Sequence, residues 1–115
     1  MTLIVNNTLK QIHDLLVAQM ANLSNALSNT TDPNKAKQLL LEMQEVTHRI
    51  DVSQNLLFAK TSKDLENCLP AIVAANKELE SSIRQIEQVA TIINDTVELL
   101  KVVDQALDLA KGLVA

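Results

Sequence analysis

An all-α fold is what this sequence predicts, and three observations carry the prediction. Only one of the 115 residues is glycine (Gly112) and two are proline (Pro33 and Pro70), too few for the many tight turns of a sheet protein. Hydrophobic residues make up 47% of the chain but aromatics only 1%, with Phe58 the sole example, so Leu, Ile, Val and Ala must fill the core. Apolar residues also recur at three- and four-residue steps, which places them on one face of a helix. The length suits one modest core. The expected organisation is a single helical-bundle domain over 1–115, with helices at about 8–28, 33–61 and 64–112. In that reading an antiparallel helical hairpin packs on a long, coiled-coil-like C-terminal helix. The alternative is a compact four-helix bundle with a break near Asp95.

The first helix rests on Leu9, Ile12, Leu16, Met20, Leu23 and Leu27, with Asn6, Asn7 or Thr8 as its cap. The row repeats after eleven residues, close to the natural helical period, so this helix is expected to be nearly straight. Ser28 to Lys35 is polar and rich in turn formers. Asp32 before Pro33 gives a capping carboxylate followed by a proline at the first helical position. The second helix carries Leu39, Met43, Val46, Ile50 and Leu57, flanked by Leu40 and Phe58. At about 1.5 Å per residue, each of these helices spans roughly 40 Å.

From Leu65 onward every seventh residue is apolar: Ile72, Leu79, Ile86, Ile93, Leu100, Leu107 and Val114. This is a d row. The matching a row holds Leu69, Asn76, Ile83, Ala90, Val97, Asp104 and Lys111, and the g row is small or apolar. The seam shifts by one position near the C-terminus, where Asp104 and Lys111 are polar but Val103 and Ala110 are apolar. A turn is expected at Thr61–Asp64, or else at Asn67–Leu69 with Pro70 in the next first turn. Asp95-Thr96-Val97-Glu98 has capping-box spacing but interrupts no part of the row. Asn76 either fixes register inside the seam or is solvated at its edge.

An unbroken third helix would be about 70 Å long, beyond the roughly 40 Å that the first two can cover. Its uncovered stripe predicts self-association. The expected product is a homo-oligomer, a dimer or tetramer, with Leu79, Ile83, Ile86, Ile93, Val97, Leu100, Val103 and Leu107 at the interface. A protein partner is expected as well.

Other chemistries find little support in the residues. Net charge is −4, with no Lys/Arg cluster, Tyr or Trp, which argues against nucleic acid. Glu45-Val46-Thr47-His48 has the spacing of half a di-metal site. His13, however, has Lys10 three residues before it, and His48 is expected on the solvent side. A phosphotransfer histidine lacks sequence context. Arg49-Ile50-Asp51 with Leu56-Leu57 resembles the first-helix pattern of helical chorismate mutases. That resemblance implies several cations converging on a dicarboxylate. Arg84 is the only other arginine, so no residue is carried over. Cys68 has Asp64 and Glu66 nearby, a setting that disfavours a thiolate. It reads as a packed core residue, and as the lone cysteine it suits a reducing compartment. Lys77 with Glu80, Glu80 with Arg84, and Arg84 with Glu87 read as a solvated charged face.

The expectation is therefore a non-catalytic interaction module, not an enzyme, with no cofactor and no metal. No signal peptide or membrane-spanning helix is expected, which suggests the cytoplasm. The second reading is a membrane-active bundle, disfavoured because the charges that punctuate Val89–Ala115 are mainly acidic, with Asp95, Glu98, Asp104 and Asp108 outnumbering the lysines. A small helical enzyme ranks third.

Overall fold

The computed structural model describes residues 4–85 and 88–114. Its elements are α1 (Asn7–Ser28), α2 (Pro33–Asn55), α3 (Lys63–Asn67), α4 (Leu69–Arg84) and α5 (Val89–Lys111). Among the described residues there is no strand, and no helix is long and apolar enough to cross a membrane. The fold is all-α.

Local chemistry sets most of the helix starts. The Asn6 side chain accepts from the Leu9 N–H at 3.1 Å and so caps α1. Asp32 does the same for α2, accepting from the Asn34 N–H at 2.9 Å and the Lys35 N–H at 3.5 Å, with Pro33 in the first turn. The Ser62 hydroxyl accepts from Leu65 at 3.0 Å to start α3. Both sites considered for the turn before the third helix are used. The chain enters α3 at Ser62, and a second interruption falls at Cys68. That places Pro70 in the first turn of α4, where its missing N–H removes no helical bond.

Two expected helix ends are corrected. The second helix ends at Asn55, not near 61. Leu56 and Ala59 leave the helical path to bury themselves in the core, and the Leu57 carbonyl accepts from the Asn6 N–H at 2.7 Å. The single helix expected over 64–112 is three elements, α3, α4 and α5. Its main division lies between Arg84 and Val89, not near Asp95. The helix runs straight through Asp95-Thr96-Val97-Glu98. There Thr96 is buried and bonds back to the Ile92 carbonyl at 2.8 Å, while Asp95 accepts from the Ser82 hydroxyl of α4.

Packing explains the division. Ending one helix and starting another gives up a few backbone bonds, worth about 1 kcal/mol net each. Folding back buries Ile92, Leu99, Leu100, Val103 and Leu107 of α5. A fully buried side chain of that size contributes about 1.5–3 kcal/mol. Five such residues outweigh the lost turn.

The described ends show how the helices run. Asn6, Ala59, Lys60 and Leu113 meet at one end of the molecule: Asn6 donates to the Ala59 and Lys60 carbonyls, and the Lys60 N–H donates to Leu113 at 3.1 Å. From that end α1 and α4 run one way, and α2 and α5 run the other. α1 packs on α2, α2 on α5, α5 on α4 and α4 on α1, closing a four-helix square. The principal extents are 51 × 21 × 18 Å. The core holds Leu9, Ile12, Leu16 and Leu23 of α1, Leu39, Met43 and Val46 of α2, Leu65 of α3, Ile72 and Leu79 of α4, and the α5 residues above.

One polar pair lies between α1 and α4. Gln19, only 1% exposed, donates to the Asn76 side-chain oxygen at 2.6 Å and to the Asn76 carbonyl at 3.2 Å. Asn76 is thus half-buried and bonded, and it fixes the height of α4 against α1. Asn76→Ala removes the shorter bond and leaves a buried amide partly unpaired. A stability loss of about 1–2 kcal/mol is expected by urea unfolding, with helix content unchanged.

Candidate functional site

The residues expected at an oligomer interface divide into three groups. Leu79, Leu100, Val103 and Leu107 are buried in the chain's own core. Ile83 and Ile93 are half-buried and pack against that core. Val97 is 37% exposed. Ile86 lies outside the described residues. The reason is a one-position change of phase. In α5 the inward row is Ile92, Thr96, Leu99, Val103, Ala106 and Ala110, which turns Val97 outward. The stripe expected to need a partner is largely covered within one chain.

Among the described residues the most exposed large apolar side chains, such as Ile4, Leu41, Phe58 and Val114, are scattered over the surface, and a partly covered apolar strip lies on α4. The inner side of α4 carries Ile72, Leu79 and Ser82. Its outer side carries Leu69, Pro70, Val73 and Ala74, framed by Glu66 of α3 and Lys77. Five of these six positions follow helical steps along α4, and Glu66 stands before them in α3, across the interruption at Cys68. They line an open groove of about 550 Å³. Leu69 is half-buried and packs in part against the core, Val73 is half-buried, and Pro70, Ala74, Glu66 and Lys77 are exposed. Among the described residues, neither Glu66 nor Lys77 makes an ion pair. A smaller apolar cleft of about 360 Å³ lies at the end where Asn6 meets Ala59, lined by Ile4, Val5 and Phe58.

No protein-family model matches this sequence, and no curated protein or solved structure matches it. Function therefore rests on the surfaces themselves.

A charged cleft lies between α2 and α5, a space of about 190 Å³ lined by His48, Arg49, Asp104, Asp108 and Lys111. Arg49 is committed there. Its Nε and Nη2 donate to the two Asp104 carboxylate oxygens at 3.0 Å each, and its Nη1 donates to Glu45. These bonds, Asp104 first, hold the guanidinium proton more firmly than usual. Arg49 therefore pairs across to α5 instead of with Asp51 on its own helix. A forked pair held by both partners ties two helices together. His48 is exposed, as its helical position requires. Cys68 is half-buried, its thiol against the Asp64 carbonyl at 3.4 Å. On the charged face, Arg84 reaches Glu80 at 3.6 Å. The pairing with Glu87 lies outside the described residues. Among the described residues, no three His, Cys, Asp or Glu side chains are grouped to hold a metal ion.

The outer strip of α4 left a signal in the sequence. Cys68 to Ala75 is an unbroken apolar run, so the first turns of α4 are apolar all the way round. The seven-residue row drew attention to Ile72 alone and hid Val73 and Ala74 beside it.

Proposed function

We propose that this chain is a non-catalytic protein-interaction module whose docking surface is the outer face of α4. One observation supports the reading: α4 begins apolar on both sides, yet its own chain covers the inner side fully and the outer side only in part. Helical turns that are hydrophobic all round suit a protein interior, and the first turns of α4 have that character. The strip is also framed by charge and carried mainly by one regular helix. Small Ala74 and ring-stiffened Pro70 let a partner backbone approach closely at little entropic cost. The lone cysteine suits a reducing setting, and we place the module in the cytoplasm.

The test is photo-crosslinking from the strip. A benzophenone amino acid at Ala74, in cells that make the protein, is expected to give a discrete protein adduct. The same group at exposed Asp51 of α2 is expected to give none, and Val73→Asp should abolish the Ala74 adduct. Absence of any adduct at Ala74 would overturn the reading.

A further inference from the structure

Resting on that reading, we propose that the occupant of the strip is a second copy of the chain, lying antiparallel across it about a two-fold axis. The strip is complementary to its own reverse. An axis level with the midpoint between Ala71 and Ile72 exchanges Glu66 with Lys77, Leu69 with Ala74, and Pro70 with Val73. All three exchanges complement. An acid meets a base, the bulkiest apolar residue meets the smallest, and a flat ring meets a branched side chain. Because the axis is two-fold, each pairing occurs twice.

A parallel mate would set Lys77 on Lys77 and Glu66 on Glu66. Charge therefore selects the antiparallel arrangement. The Leu69–Ala74 exchange matters for distance. Helix axes in contact lie about 8–10 Å apart, and a large residue over a small one permits the closer approach. The apolar end cleft lined by Ile4, Val5 and Phe58 shows no such internal pairing of acid with base.

The strip is short: its α4 part, Leu69 to Lys77, rises about 12 Å. An interface of that length is small, so the dimer is weak and depends on concentration. It belongs to the class of reversible contacts that form when copies are brought together.

Sedimentation equilibrium of the purified chain tests this, from low micromolar to millimolar protein. The mass is expected to rise from 12.6 kDa toward twice that value. Lys77→Glu and Glu66→Lys are each expected to weaken self-association at least about tenfold, since every lost pair is lost twice and replaced by repulsion. Mixing the two variants is the decisive arm. The Glu66→Lys chain then presents a base at both ends of its strip, and the Lys77→Glu chain presents an acid at both ends. Opposite charges meet at each end, so the mixture is expected to associate more tightly than either variant does alone. Circular dichroism keeps loss of folding distinct from loss of pairing. A wild-type chain that stays monomeric throughout overturns the second-copy inference while leaving the Ala74 crosslink to a different protein intact. Association that ignores both charge reversals, or a mixture that fails to associate, overturns the antiparallel arrangement.

Discussion

Asn6→Ala is expected to lower the stability of the fold by about 2–4 kcal/mol, although it removes only one small polar side chain. Asn6 is 1% exposed and sits before the first turn of α1. Its oxygen accepts the Leu9 N–H at 3.1 Å, and its amide donates to the Ala59 and Lys60 carbonyls at 3.1 and 3.2 Å. One side chain thus closes a helix and fastens it to the segment that crosses from α2 to α3. Loss of a capping oxygen alone costs about 1 kcal/mol. The rest comes from the Ala59 and Lys60 carbonyls, which lose their donor. Asn6→Ser separates the two roles. Serine keeps the cap but is too short to serve both carbonyls, so its loss should fall between wild type and alanine. Urea unfolding followed by circular dichroism measures all three. An alanine variant within about 0.5 kcal/mol of wild type, the scatter of neutral surface changes, would show that Asn6 is only a cap of convenience.

Asn6 also shows where sequence reasoning reaches and where it stops. Capping is local, and the Asn6-Asn7-Thr8 cluster marked the start of α1, as Asp32-Pro33 marked α2 and Ser62 marked α3. The bonds from Asn6 to Ala59 and Lys60 are not local. They join residues more than fifty apart, and no pattern near either partner announces them. Gln19 drew no attention for the same reason: its partner Asn76 stands 57 residues away on α4. The division between Arg84 and Val89 was hidden differently. Helix-forming residues surround it, and the seven-residue row passes through it unbroken. Burial of α5 overrides local preference there, because most helical stability in proteins comes from packing an apolar face. Asp95 misled in the opposite direction. Its capping pattern is real, but Thr96 uses its hydroxyl within the helix and Asp95 receives Ser82 from across the bundle. Once the chain folds back, α5 no longer inherits the phase of α4. The seam near the C-terminus was legible as a shift by one position at Val103 and Ala110. In the structure that shift holds along the whole of α5.

This phase change makes Leu79 and Val97 respond oppositely to the same substitution. Both stand in the sequence as residues of one apolar seam. Leu79→Ala is expected to cost about 2–5 kcal/mol, because Leu79 is fully buried between helices and its removal leaves a cavity that rigid neighbours fill poorly. Val97→Ala is expected to fall within about 0.5 kcal/mol of wild type, since Val97 is 37% exposed and alanine favours the helix. A continuous third helix predicts something else. On that geometry both residues face a second copy, so both substitutions would weaken assembly and leave the monomer's unfolding little changed. Unfolding midpoints measured at two protein concentrations separate the cases. In the folded-back bundle the Leu79→Ala loss is the same at either concentration, because the contacts it breaks lie inside one chain. In an interface the loss grows on dilution by mass action. A concentration-dependent loss at Leu79 equal to that at Val97 would return both residues to an intermolecular seam and refute the fold-back between Arg84 and Val89.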